Sequence, residues 1–182
     1  MNELVERTID FLEKRSVIRE VAPEAPEKLP EVPDTVFVGS PFFVEKFTYL
    51  VEEKIAADSL QGGALFINFQ SFAAVLRRQK ILKEIDRLDN AVNVYGADAA
   101  ETWPFQRFKK VVVAPDDPLL MSWFIIYSRK DLAFSLVAVA HGKGAAAAKK
   151  FRGFWTTRPS IAHYLCDYLL RVVNAQYSNE VR

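Results

Sequence analysis

The sequence predicts an α+β fold in which a mainly antiparallel sheet is covered by helices. Three observations support this prediction: apolar residues at helical spacing before, between and after the strand-like segments, short β-prone runs that follow one another in the second half, and a proline-rich stretch near the N-terminus. Half of the 182 residues are hydrophobic and 13% are aromatic. A chain of this length and composition can bury a substantial core without disulfides or metal ions.

The N-terminal region divides into a helix and a spacer. Residues 2–15 place Leu4, Ile9, Phe11 and Leu12 on one side and charged side chains on the other, which predicts a helix. The following stretch, APEAPEKLPEVPD, contains four prolines, each of which removes a backbone donor and favours extended geometry. We therefore predict a helical arm at residues 1–18, a Pro-rich linker at 19–35, a globular domain at 36–176 and a tail at 177–182.

The first half of the globular domain predicts a helix, a strand and a second helix. Ser40 is a candidate N-cap and Pro41 a candidate first-turn residue of a helix with apolar side chains at helical spacing through Ile55. The run ALFINF has strand length and follows the helix-breaking QGG. Ser71 could cap the second helix, which continues or restarts through Leu88 and carries a basic face.

The second half is richer in strands, which are predicted for AVNVYG, KKVVVAP and LLMSWFIIYS. The segment KDLAFSLVAVAHG favours a turn followed by a strand, although an all-helical reading stays open, and GKGAAAAKK favours a loop. Residues 151–157 are β-prone, and Pro159 begins a long final helix.

Net charge, cysteine content and the length of apolar stretches bear on the partners and location of the chain. Lys and Arg number 24 against 23 Asp and Glu, so the net charge of +1 creates no global field and makes nucleic acid an unlikely partner. The single cysteine, Cys166, cannot form an internal disulfide and suits a reducing compartment, which predicts a cytoplasmic location. No stretch approaches the roughly 18 uninterrupted apolar residues of a membrane span.

Candidate catalytic and metal-binding groups have simpler interpretations. His163 and Cys166 share a helix face, but a closed zinc site needs four ligands and no CxxC or HExxH motif accompanies them. His141 has no nucleophile beside it, and Asp116 and Asp117 lie in a Pro-bracketed turn that Asp side chains stabilise. We therefore expect no metal, no cofactor and no enzymatic activity.

Three segments contain short motifs that occur in a fixed order along the chain: LFINFQSFAAVLRRQKILKEIDRLDNAVNVYG, VVVAPDDPLLMSWFIIYSRKDLAFSLVAVAH and FRGFWTTRPSIAHYLCDYLL. Their most specific pieces are INFQSF followed by a basic helix and VYG, DDPL followed by a Trp-containing strand, and F.G.WT..P ahead of the last helix. In this order they resemble the DICT sensory domain family, named for its occurrence in diguanylate cyclases and two-component systems. The resemblance covers roughly residues 43–171.

The resemblance implies a cytoplasmic sensory or interaction module, common in cyanobacteria and haloarchaea and suspected of a part in light responses. It brings no established ligand or catalytic set. The positions that match its motifs are Phe69, Gln70, Asp117, Trp123, Phe151, Gly153, Trp155 and Pro159. Arg152 stands where many members of the family carry an acidic residue. The sequence shows no cyclase, kinase, receiver or DNA-binding motif that could serve as an output domain, so we expect the output to be delivered in trans.

Two functions follow as expectations. The first is a non-enzymatic regulatory or adaptor protein in signal transduction, whose arm docks on a partner protein or on a second copy of the chain, because an isolated helix of this length is marginal in water. The alternative is a small-molecule sensor with its ligand between sheet and helix near Trp123 and Trp155. Aromatic side chains in strands, however, more often belong to an ordinary core.

Overall fold

The computed structural model describes residues 2–14, 34–97, 102–141 and 150–180, and for residue 2 and residues 172–180 it describes the backbone alone. The helices are α1 (Asn2–Glu13), α2 (Pro41–Ala57), α3 (Phe72–Arg77), α4 (Gln79–Asp86) and α5 (Pro159–Glu180). The strands are β1 (Thr35–Gly39), β2 (Ala64–Asn68), β3 (Ala91–Gly96), β4 (Phe108–Val112), β5 (Ser122–Ser128), β6 (Ala133–His141) and β7 (Lys150–Thr156).

The seven strands form one sheet in the order β1-β7-β6-β5-β2-β3-β4. Neighbouring strands from β1 to β2 in this order are antiparallel, whereas β2–β3 and β3–β4 are parallel. The parallel pairing of β2 with β3 is possible because α3 and α4 lie between them in sequence and supply the crossover that such a pair needs. The predicted α+β fold with a mainly antiparallel sheet is confirmed.

Helices cover both faces of the sheet, and each face has its own hydrophobic core. On the α2 face, α2, α3 and α4 pack against side chains such as Ile67, Phe151 and Trp155. On the α5 face, α1 and α5 pack against side chains such as Phe66 and Phe154. Since successive residues of a strand point to opposite faces, the same strands supply both cores.

Local sequence signals account for where the helices begin. The Ser40 hydroxyl accepts a hydrogen bond from the Phe43 N–H at 3.1 Å, and the Ser71 hydroxyl accepts one from the Ala74 N–H at 3.1 Å. Both predicted N-caps are confirmed. The strand predicted from residue 119 begins instead at Ser122, because a 3₁₀ helix, Pro118–Met121, comes first.

The N-terminal helix α1 packs on the α5 face of its own chain, where it contacts β1, β6 and β7. Ile9 and Leu12 are fully buried there, Leu4 is partly buried, and Phe11 stays 40% exposed. The surface that this short helix was expected to need is therefore provided within the chain.

Two of the predicted domain boundaries can be compared with the observed strands and helices. The Pro-rich linker lies almost entirely outside them, as does most of the loop predicted for GKGAAAAKK, but β1 already begins at Thr35. Helix α5 extends to Glu180, so the boundary predicted at residue 176 falls inside it. Within the described residues, no helix has the length and apolar character that crossing a membrane requires.

Candidate functional site

A surface pocket of about 520 Å³ lies between α2 and the pair α3 and α4. Both of its walls carry charged side chains. The residues that line it are Glu45, Tyr49 and Glu53 from α2, Arg77 from α3, Arg78 between the two short helices, and Lys80, Ile81 and Glu84 from α4. We call this feature the α2–α4 pocket.

Arg78, which lines this pocket, forms a buried ion pair with Glu52. The Glu52 side chain is 0% exposed and the Arg78 side chain 9% exposed. The Arg78 Nε atom donates to both carboxylate oxygens, at 3.1 and 2.9 Å, and Nη2 donates to Oε2 at 2.5 Å. This forked geometry suits the planar guanidinium and fixes α2 to the point where α3 ends and α4 begins.

The environment of Glu52 works against its charge. The pKa of Glu52 is raised from 4.5 to about 7, chiefly because burial disfavours its charged form; the charge and hydrogen bonds of Arg78 act in the opposite direction, and the nearby carboxylates of Glu45 and Glu53 act in the same direction as burial. Both forms of the Glu52 side chain are therefore accessible near neutral pH.

Aromatic rings enclose the Arg78 guanidinium on the pocket side and on the core side. Its carbon Cζ lies 5.5 Å from the centre of the Tyr49 ring and 5.3 Å from the centre of the Phe69 ring, both within cation–π range. A hydrogen bond to Glu53 raises the pKa of Tyr49 above its ordinary value. The guanidinium is thus held in place by one carboxylate and two rings.

Phe69 connects this ion pair to the sheet. Its ring centre lies 5.2 Å from that of Trp123, and the Trp123 ring lies 6.4 Å from that of Phe151. The Trp123 Nε1 atom donates to the Thr48 hydroxyl of α2 at 2.9 Å. The structure therefore brings together three of the predicted site residues, Phe69, Trp123 and Phe151, beside a pocket that the sequence analysis did not identify.

Trp155 and Gly153 lie farther along β7 on the α2 face, inside the core. The Trp155 ring packs 5.3 Å from Phe47 and 5.6 Å from Phe134, and its Nε1 atom has no hydrogen-bond partner among the described residues. A Cβ atom on Gly153 would lie 2.3 Å from the Val137 carbonyl oxygen. Protein side chains thus occupy the space between sheet and helix near Trp155, where the alternative function expected a ligand.

Three other predicted site residues organise backbone turns. Gln70 has a φ of 70° and donates its N–H to the Asn68 side chain at 2.8 Å. Asp117 accepts the Leu119 N–H at 2.8 Å and so caps the 3₁₀ helix, while Pro159 is the exposed first residue of α5. None of these three is among the residues that line the α2–α4 pocket.

Arg152, which lies within the third family-like motif, contacts the N-terminal helix α1. Its guanidinium donates to Glu6 at 2.5 Å and to Glu13 at 2.9 Å, both on α1. The basic residue at this position, where the family resemblance implies an acidic one, therefore matches the acidic residues of the docked arm.

The candidate metal ligands from the sequence do not gather in the described part of the chain. There, no group of three or more His, Cys, Asp or Glu side chains is placed to hold a metal ion. His163 is exposed, whereas Cys166 is buried and burial raises the pKa of its thiol to about 12. A thiol with so high a pKa is a poor nucleophile at neutral pH.

Glu52 and Arg78 are the residues that the sequence analysis missed. One signal was present for Glu52, since it directly follows Val51 and precedes Ile55 by three positions, within the apolar side of α2. Arg78 gave no such signal because it reads as one more member of a basic helix face. Its partner is 26 residues away, a separation that periodicity cannot pair.

No family model, curated protein or solved structure that we compared with the chain matches it.

Proposed function

We propose that this chain is a non-enzymatic sensory domain of the DICT type, which binds a small molecule in the α2–α4 pocket and acts in cytoplasmic signal transduction by contact with a partner protein. The observation that carries the proposal is the position of Arg78. This residue lines the pocket, is held by the buried Glu52, and contacts Phe69, which in turn contacts Trp123 of the sheet.

These contacts give a ligand a physical means of affecting the fold. A ligand that interacts with Arg78 or its neighbours competes with, or adds to, the contacts that fix α2 against α3 and α4. A ligand shifts a conformational equilibrium by its difference in affinity for the two states. Displacement of α2 relative to α4 is the conformational change that this geometry favours.

The test is a thermal stability screen of the full chain with metabolites. A ligand that binds only the native state stabilises it by about 2.7 kcal/mol at a hundred times its Kd, so the melting temperature rises. We expect a metabolite that stabilises the chain and fails to stabilise Tyr49→Ala. The matched control is Lys83→Ala on α4, because Lys83 does not line the pocket and its variant should keep the response.

Two results would contradict the proposal. One is a screen in which no metabolite stabilises the chain. The other is stabilisation of equal size in Tyr49→Ala, which would put the ligand at another site.

A second candidate function is an adaptor whose arm, α1, exchanges between its own sheet and a partner or a second copy of the chain. This candidate is favoured by the size of α1, whose 12 residues are too few for a stable isolated helix, and by the apolar face through which it is docked. We expect deletion of residues 1–35 to change the oligomeric state or the capture of partners. Unchanged behaviour in both measurements would exclude a functional arm.

A further inference from the structure

We propose that the ligand of the α2–α4 pocket is a zwitterion of amino-acid or dipeptide size. This inference rests on the proposed function of the pocket as a small-molecule site. It follows from the way charge is divided between the two walls.

The α2 wall is acidic and aromatic. Glu45, Tyr49 and Glu53 follow one another at intervals of four residues, so they form one stripe along the helix. Tyr49 is 43% exposed, its side chain is hydrogen-bonded to Glu53, and its ring lies 5.5 Å from the Arg78 guanidinium carbon. A ligand ammonium group on this wall would meet two carboxylates and an aromatic face, which is the environment that binds such cations.

The opposite wall is mainly basic. Arg77 and Lys80 lie on either side of Arg78, Ile81 adds an apolar surface, and Glu84 lies one helical turn beyond Lys80. A ligand carboxylate on this wall would meet two cations and could add a hydrogen bond to Arg78. The apolar part of a ligand would rest against Ile81.

The charges on the two walls differ in how far they are already engaged, since Glu45 lies 4.0 Å from Arg78 and Glu53 is hydrogen-bonded to Tyr49. Glu52 and Arg78 neutralise each other. Among the described residues, no ion pair joins Arg77, Lys80 or Glu84 to another side chain. These three residues line the pocket.

Ligands with one type of charge, or with none, fit this pocket less well. An anion would be repelled by Glu45 and Glu53, and a cation by Arg77 and Lys80. An apolar ligand would have to remove water from both walls without replacing its hydrogen bonds. A zwitterion satisfies both walls at once, and the volume of about 520 Å³ lies within the usual range for small-molecule sites.

The experiment is calorimetric titration of the full chain with the standard amino acids and a set of glycyl dipeptides. The tightest binder is then compared with its N-acetyl and C-terminal amide derivatives, each of which lacks one charge. We expect each derivative to bind about tenfold more weakly or worse, equivalent to about 1.4 kcal/mol. Amide NMR spectra should show shifts concentrated at residues 45–53 and 77–84.

Variants test the two walls separately. Glu53→Gln on α2 and Lys80→Gln on α4 should each weaken the tightest binder about tenfold. Lys83→Gln is the matched control, because it removes a lysine from the same helix outside the pocket and should leave the affinity unchanged.

The failure of this inference can be told apart from that of the proposed function. The inference is overturned when no amino acid or dipeptide binds at millimolar concentration, or when the blocked derivatives bind as well as the parent compound. If the metabolite screen still finds a ligand whose effect depends on Tyr49, the pocket keeps its proposed function and loses only its ligand class. If the screen also finds nothing, both proposals fail.

Discussion

At the scale of single residues, Glu52 and Arg78 form a buried ion pair whose disruption should be costly. Removing two charges from water costs several kcal/mol per ion, and their mutual attraction offsets this cost only when the geometry is good. Here the guanidinium makes three hydrogen bonds to one carboxylate. Such a pair contributes little net stability, but removing Arg78 leaves the buried Glu52 carboxyl group without its hydrogen-bond and charge partner.

Replacing Arg78 alone should therefore destabilise the folded chain strongly. We expect Arg78→Met to lower the free energy of unfolding by about 3–5 kcal/mol, since Glu52 would stay buried without a partner. Urea denaturation measures the effect. Arg77→Met is the matched control on the neighbouring exposed residue and should change stability by no more than about 0.5 kcal/mol.

The double variant Glu52→Leu with Arg78→Met separates pairing from packing. Apolar residues of similar volume can replace a buried ion pair at little or no cost, so we expect the double variant to recover most of the stability lost in Arg78→Met. A double variant as unstable as the single one would show that packing around Arg78, and not the unpaired carboxylate, sets the cost.

Glu52 should also give stability a characteristic pH dependence. Its pKa is raised in the folded state from 4.5 to about 7, so within this window the folded chain keeps a proton that the unfolded chain has released. Stability due to this group therefore falls as pH rises through the window. Relative to the wild type, Glu52→Gln should be most destabilised below pH 4.5 and least destabilised above pH 7, as measured by denaturation across pH. The opposite trend would show that Arg78 holds the pKa of Glu52 below its ordinary value.

Gly153 lies where the backbone of the neighbouring strand β6 approaches too closely for a side chain to fit. Because a Cβ atom there would overlap the Val137 carbonyl oxygen, strands β6 and β7 would have to shift to accept alanine. We expect Gly153→Ala to lower the free energy of unfolding by about 1–3 kcal/mol, the usual cost of overpacking. Thermal unfolding measures the effect, and Lys150→Ala, at the exposed start of the same strand, should be nearly neutral in that assay.

At the scale of elements, the docking of α1 combines apolar burial with ion pairs of unequal value. Val5, Ile9 and Leu12 are fully buried against the sheet, whereas the ion pairs of Arg152 with Glu6 and Glu13 are partly exposed to solvent. Ion pairs near the surface contribute about 0–1 kcal/mol. The apolar face of α1 therefore supplies most of the docking energy, and the ion pairs orient the helix.

This difference can be measured with two single variants. Ile9→Ala should cost about 2–5 kcal/mol because it leaves a cavity under the helix, while Arg152→Ala should cost about 1 kcal/mol or less. Denaturation gives the two free energies, and amide hydrogen exchange should show earlier opening of α1 in Ile9→Ala. A larger loss in Arg152→Ala would mean that charge, and not burial, holds the arm.

At the scale of the whole molecule, the two cores share the central strands. Strands β5, β6 and β7 send alternate side chains to the α2 face and to the α5 face, as Phe151 and Phe154 illustrate. Loss of packing on one face therefore disturbs the strands that support the other. The α2–α4 pocket lies at the outer surface of one helical layer, but its Arg78 reaches the sheet through Phe69 and Trp123.

We accordingly expect a single cooperative unfolding transition. Thermal curves from tryptophan fluorescence and from far-UV circular dichroism should coincide, as in a two-state transition. Ile9→Ala on one face and Phe47→Ala on the other should each shift the whole curve without splitting it. Two separate midpoints would show that the layers unfold independently.

The sequence by itself determined the class of fold and most of the helices and strands, but it did not predict β1 or the 3₁₀ helix before β5. Periodic apolar residues marked α2 and α5, and Ser40 and Ser71 marked helix starts, because these signals lie within a few residues of one another. Only the tertiary structure decided the partner of Arg78 and the site at which α1 docks. Both depend on contacts between distant segments, Glu52 with Arg78 and Glu6 with Arg152, and such contacts exist only once the sheet has set the helices side by side.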